Sequence, residues 1–258
     1  MNTTTLNQYE TTEPANGILK RVTVLLYGVL GYAVGCTGLF WLILAAAGFA
    51  PVGLSEWQTG SVIEALLVNS GLIALFGLQH SIMARKGFKN KLVQYIPEAT
   101  ERATYLLTTG LVTCMALYNW QALPGVIWQF DGSVIHWSLL AINLLGWSYL
   151  LLATFVTNHF ELMGLRQVYL YFMNRPYTPI PFTKKLMYRY SRHPMMLGML
   201  IGLWVVPVMS AAHLAMATFL TLYMIAGVYF EERDLIRNFG ETYKNYKKEI
   251  AALIPSIF

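Results

Sequence analysis

Six apolar runs set the pattern of this chain, at roughly 22–49, 61–84, 103–121, 135–157, 194–209 and 211–230. Polar or basic segments separate them. Apolar runs of about 17–25 residues are long enough to cross a bilayer as helices. The pattern therefore predicts an all-α, polytopic membrane protein with about six transmembrane helices. The fifth run is short and joins the sixth through Ser210-Ala211-Ala212-His213, which predicts a tight helical hairpin for the last pair. Past residue 230, Leu235, Phe239, Tyr243 and Tyr246 recur at helical spacing, while Arg233, Arg237, Glu241, Lys244 and Lys248 fall on other faces. Such a stripe predicts a C-terminal amphipathic helix lying on or against the membrane domain. Three parts result: a polar N-terminus (1–21), a four-helix scaffold (22–157) and a C-terminal unit (158–258) of loop, hairpin and final helix.

Composition agrees with this picture. Hydrophobic residues make up 56% of the 258 and charged residues only 12%, against about 25% charged in a soluble domain. Residues 1–19 are polar, are expected to be loosely ordered, and lack the cationic start of a cleavable signal peptide. Cys36 and Cys114 lie in apolar runs without partner spacing, so neither a disulfide framework nor a metal motif is expected.

Charge placement fixes the orientation. All 18 Lys and Arg residues fall before run one, between runs two and three, between runs four and five, or after run six. The other three loops carry acids such as Glu56 and Asp131. With six spans, every basic segment lies on one side, which the positive-inside rule makes the cytoplasm; both termini then lie there too. Five or seven spans would break the pattern. The net charge of +5 is explained by this placement, and no nucleic-acid partner is expected.

Polar residues inside apolar runs are the candidates for chemistry. Run one carries Gly28, Gly31, Gly35 and Gly38, a small-residue face suited to close helix packing. Run two carries Glu64, Asn69, Ser70, Gln79 and His80. His80 lies close to Arg85, so an interfacial histidine facing headgroups is as good a reading as a catalytic one. Run three is ordinary, with Tyr118 and Trp120 as outer anchors alongside Trp128 and Trp137. Run four ends in Asn158-His159-Phe160-Glu161, with Arg166 just beyond. Pro176, Pro179 and Pro181 break any helix in the following stretch, which is either a loop over a site or a plain linker. Tyr188-Arg189-Tyr190-Ser191-Arg192-His193-Pro194 then leads into run five, and Glu231-Glu232 closes run six. His80, the His159–Arg166 cluster, Arg192-His193 and Glu231-Glu232 share one membrane level. That convergence suits an active site at the membrane interface, although charged residues always collect at interfaces. His80 and His159 at one level also permit a haem protein, with visible absorbance as the discriminator. A transporter would show internal repeats and mid-membrane polar residues; no repeat is found.

These residues also carry a resemblance. Arg192-His193-Pro194, Leu197-Gly198, Glu231-Glu232 and Phe239-Gly240-x-x-Tyr243-x-x-Tyr246 resemble the C-terminal signature of integral-membrane methyltransferases that use S-adenosylmethionine, the isoprenylcysteine carboxyl methyltransferase and phospholipid methyltransferase group. Upstream, Gln79-His80-Ser81 and His159-Phe160-Glu161-Leu162 look more like the bacterial methanethiol S-methyltransferases and their NnrU-like relatives. Met196 stands where the group usually has an aromatic. Glu249 stands where the isoprenylcysteine enzymes tend to have an arginine, which argues against a prenylcysteine carboxylate as acceptor. The resemblance implies that residues 158–258 form the S-adenosylmethionine-binding core. It implies that Tyr188, Tyr190, Arg192, His193, Pro194, Leu197, Gly198, Glu231, Glu232, Tyr243 and Tyr246 meet the cofactor, with Arg192 on its carboxylate and a glutamate on its ammonium or ribose. His80, His159 and Arg166 are the candidates for activating a small thiol, with methanethiol giving dimethyl sulfide. A lipid or prenylated acceptor is the alternative, and no metal is required. The implied location is the bacterial inner membrane.

Overall fold

A computed structural model describes residues 17–50, 60–181 and 183–254. The polar stretch 1–16 and the acidic loop residue Glu56 lie outside the described residues. Each of the six apolar runs holds a helix. In chain order they are α1 (Ile18–Ala47), α2 (Val62–Ala84), α4 (Glu101–Tyr118), α5 (Val134–Val156), α8 (Pro194–Trp204) and α9 (Ala211–Phe239). Short helices fill the basic connections: α3 (Lys86–Leu92), α6 (His159–Leu162), α7 (Leu165–Phe172) and α10 (Glu241–Glu249). Helices α1, α2, α5 and α9 are long and apolar enough to cross a membrane. The multi-pass character of the chain rests on these four. Helix α4, 18 residues long, and α8, 11 residues long, pack among them.

Local sequence sets the helix ends. Ser61 and Glu64 form a capping box on α2, with Ser61 N donating to Glu64 Oε2 at 2.6 Å, so Glu64 is a cap and not a site residue. Ser133 and Ser210 cap α5 and α9 by accepting from the amides of His136 and His213. Pro194 takes the first position of α8, where its missing N–H costs nothing.

Two departures from the sequence expectation concern the last helices. Helix α8 ends at Trp204, and residues Val208–Ser210 form a strand, β2, paired antiparallel with β1 (Val126–Gln129). The last pair is therefore joined through a two-stranded cap, tied further by Trp128 Nε1 donating to Val206 O at 2.9 Å. The final amphipathic stripe is not one helix. Leu235 and Phe239 belong to α9, which runs on past Glu231 and Glu232; the break comes at Gly240, at φ 55° and ψ −130°. That positive φ favours glycine, and the bend folds α10 back so that Tyr243 and Tyr246 are buried.

Glycine spacing decides which helices touch. Lipid supplies no hydrophobic drive between spans, so close backbone approach carries the packing. A Cβ on Gly31 would sit 2.6 Å from Ala103 O, and one on Gly110 would sit 2.4 Å from Val34 O. Helices α1 and α4 thus meet backbone to backbone. Because Ala103 opens α4 beside Gly31, the N-terminal turns of α1 extend beyond α4. There Gly28 receives Val168 of α7 instead. Helices α5 and α8 pair the same way, through Gly146, Gly198 and Gly202. Buried amides lock the connections: Asn69 Nδ2 donates to Gln121 O at 2.9 Å, and Asn143 Nδ2 to Gly202 O at 2.6 Å.

Candidate active site

Helix α8 begins where α9 leaves the bundle, and the C-terminal segment crosses both. The amides of Arg192 and His193 donate to Ala251 O at 2.9 Å and Ala252 O at 3.0 Å. Ser191 Oγ donates to Ala252 O at 3.1 Å. Tyr246 donates to Tyr188 O at 2.5 Å. Into this frame Arg192 sends its guanidinium, whose Nε and Nη2 both lie 2.7 Å from Glu232 Oε1. Its Nη1 donates to the carbonyls of Lys247, at 3.1 Å, and Ile250. Lys247 Nζ reaches Glu232 Oε2 at 2.5 Å, and His193 Nε2 lies 3.3 Å from Oε1.

The two adjacent glutamates therefore differ. Glu232 is buried and both its oxygens are engaged. The Glu231 side chain is 45% exposed, and its ion-pair partner is His193 Nδ1 at 3.4 Å. The negative charge of Glu231 acts on Tyr188, Tyr243 and Tyr105. Burial, with Glu231 adding, pushes the Tyr188 hydroxyl up to about 12. Burial, then Glu232, pushes Tyr243 up as well. Both stay protonated donors at neutral pH.

Tyr105 leads to the second group. Its hydroxyl lies 2.6 Å from His80 Nε2, and the His80 ring stacks on Phe76 with centroids 5.3 Å apart. Tyr223 of α9 stands edge-on to His80 at 6.1 Å and bonds Ser81 at 3.1 Å. Gln79 donates to Thr108 and Thr109. Helix α4 is thus not the ordinary span its sequence suggested. Thr104, Tyr105, Thr108 and Thr109 form a hydroxyl stripe at helical spacing, and that spacing was the available signal.

His80 and Thr109 line one end of an apolar cavity of about 220 Å³. Cys36, Leu39, Phe76, Thr113, Met163 and Met199 are among its lining, and Trp120 lies at the other end. Trp120 is therefore a buried wall residue, 1% exposed, and not an outer anchor.

The third group gathers around His159 and Arg166. His159 is held on both ring nitrogens, by Tyr32 Oη at 3.0 Å and Thr154 Oγ1 at 2.8 Å, and stacks on Phe155. Arg166 donates to Glu161 at 2.9 Å and to the carbonyl and hydroxyl of Thr178. Tyr177 donates to Glu161 Oε1 at 2.6 Å; burial and that bond push its hydroxyl up to about 12. Arg166 and Glu161 thereby pin the proline-rich stretch that follows α7.

Of the residues singled out in the sequence, Tyr188, Arg192, His193, Pro194, Glu231, Glu232, Tyr243 and Tyr246 come together. His80 approaches them through Tyr105. His159 and Arg166 form their own cluster. Tyr190 is 66% exposed and points away. Leu197 is half-buried on α8, and Gly198 faces α5, where a Cβ would lie 2.6 Å from Gly146 O. Sequence reasoning missed Lys247, Ser191, Tyr105, Tyr223 and the carbonyls of 250–252.

Comparison with known proteins bears on this arrangement. The chain is 40% identical over 255 residues to methanethiol S-methyltransferase of Crocosphaera subtropica, covering 94% of this chain and 96% of that protein. It is 38% identical over 246 residues to that of Mycobacterium tuberculosis, covering 92% and 98%. It belongs to the methanethiol S-methyltransferase family. Nurim of Xenopus laevis is a more distant relative, 30% identical over 230 residues, 82% of this chain and 80% of that protein. No family model and no solved structure matches the chain.

Proposed function

We propose that this protein transfers a methyl group from S-adenosylmethionine to a small thiol, with methanethiol giving dimethyl sulfide, at the cytoplasmic face of the bacterial inner membrane. The observation that carries this reading is the placement of Glu231. It pairs with His193 of the Arg192–His193–Glu232 frame and lies two turns along α9 from Tyr223, which stands edge-on to His80 at the apolar cavity. The names of the relatives, matched over nearly the whole chain, supply the acceptor.

The residues fit the donor. The half-exposed carboxylate of Glu231, with buried tyrosines around it, suits a cationic ligand. The first turn of α8 has no side-chain cap, which leaves amides for an anionic group. Arg192 is engaged by Glu232 and two carbonyls, so it holds the frame and does not meet the cofactor carboxylate. Bound there, S-adenosylmethionine would supply an electrophilic methyl on a sulfonium, whose carbon–sulfur bond would break with the electron pair going to the donor sulfur.

The chain's own residues prepare the acceptor. A cysteine-like thiol with a pKa of about 8.5 costs roughly 2 kcal/mol to ionise at neutral pH, at 1.36 kcal/mol per unit, and a simple alkyl thiol, a weaker acid, costs more. His80 is the base on the cavity wall and takes the S–H proton. Tyr105 fixes its ring, and the apolar lining excludes water from the sulfur. The test is headspace gas chromatography of purified protein in detergent with S-adenosylmethionine and methanethiol. Dimethyl sulfide above a boiled control supports the reading. Its absence alongside calorimetric binding of S-adenosylmethionine refutes the acceptor, and absence of both refutes the reading.

A further inference from the structure

The cavity is far larger than methanethiol requires, and its shape is informative. It follows one face of α4 through Leu106, Thr109, Gly110, Thr113, Ala116 and Leu117, about 16 Å of helix at 1.5 Å per residue. Trp120, just past the end of α4, also lines it. An engineered apolar cavity of about 150 Å³ takes a benzene molecule; this one holds about 220 Å³. Its polar groups are segregated. His80 and Thr109 lie at the end near Tyr105. Thr113 turns its hydroxyl back to Thr109 O at 2.8 Å, leaving its methyl for the wall. From there to Trp120 the lining is hydrocarbon and sulfur. A polar end joined to a long apolar tube matches a molecule with a polar head and a linear tail.

We propose that this cavity is an acceptor site for linear alkyl thiols well beyond methanethiol, with sulfur at His80 and chain running along α4 toward Trp120. The proposal rests on the methyl-transfer reading above. The bond changes are the same: the acceptor sulfur gains the methyl, and its proton passes to His80. Discrimination arises from shape. A linear chain loses only water contact along the tube, whereas a chain branched next to sulfur must displace packed walls.

The test uses the full-length protein in detergent with S-adenosylmethionine and methane-, butane-, hexane- or tert-butanethiol. Methyl hexyl sulfide serves as an unreactive probe in thermal-shift measurements. Expected are hexanethiol turnover with kcat/KM within about tenfold of methanethiol, and tert-butanethiol at least tenfold below hexanethiol. Ala116→Phe, which fills the tube away from His80, should lower hexanethiol kcat/KM at least tenfold more than it lowers that of methanethiol. Should that variant not fold, Met216→Ala should widen the tube and raise tert-butanethiol turnover relative to hexanethiol. Methanethiol turnover without hexanethiol turnover, and with no shift by methyl hexyl sulfide, overturns the proposal. A shift in protein that methylates no thiol supports the binding site and removes the methyl-transfer reading instead.

Discussion

Glu231→Gln and Glu232→Gln test the proposal that Glu231 meets the donor while Glu232 braces the frame. Glu232 and Arg192 have side chains only 7% and 8% exposed, joined by two contacts of 2.7 Å to one oxygen. Removing one charge from such a pair leaves the other buried and uncompensated, which costs 3–5 kcal/mol in general. Arg192 keeps the carbonyls of Lys247 and Ile250, and glutamine still accepts a bond, so about 3 kcal/mol is expected. Lys247, 46% exposed, adds less than about 1 kcal/mol. In a chain of this size each kcal/mol moves Tm by roughly 2–4 °C, giving about 6–12 °C for Glu232→Gln. Glu231 has one long contact to His193 and is half in water, so Glu231→Gln should leave Tm within about 2 °C. It should instead weaken S-adenosylmethionine binding about 10- to 100-fold, the loss of one charge-assisted bond. Differential scanning fluorimetry and calorimetry on both variants decide the matter. Glu231→Gln lowering Tm while keeping donor affinity, or Glu232→Gln losing affinity at wild-type Tm, would show that the two roles have been assigned the wrong way round.

Further outcomes follow from the same geometry. His80→Ala should lower kcat about 10²- to 10⁴-fold, as loss of a proton acceptor does, with donor affinity unchanged by calorimetry; Tyr105→Phe should fall in the same direction by about tenfold, for one lost hydrogen bond. Gly31→Leu places a side chain against Ala103 O and should cost at least about 1–3 kcal/mol, read as a lower Tm. Arg166→Ala releases Thr178 from its anchor, and limited chymotrypsin digestion should then cut after Tyr177 faster than in the parent.

Helix formation was legible because apolar run length and the lipid environment dictate it locally: a spanning backbone must satisfy its own hydrogen bonds. Each of the six runs holds a helix, and the close packing of α1 was foretold by its glycine stripe. The clustering of Arg192, His193, Glu231 and Glu232 was likewise readable from motif order. Sequence did not reveal which groups answer each other's charge. Adjacent Glu231 and Glu232 look alike as letters, yet helical geometry turns them about 100° apart, one into Arg192 and the other toward open space. Nor could it show that Arg166 is tied to Thr178, that Tyr105 reaches His80, or that Val208–Ser210 pairs as a strand. Those pairings join residues far apart in the chain, and only packing brings them within bonding distance. The chain by itself determined that it folds as a helical membrane protein whose basic residues gather in four of the segments flanking its apolar runs. The tertiary structure decided which of those charges brace the frame and which stay open, because burial and the count of satisfied bonds exist only once the helices have met.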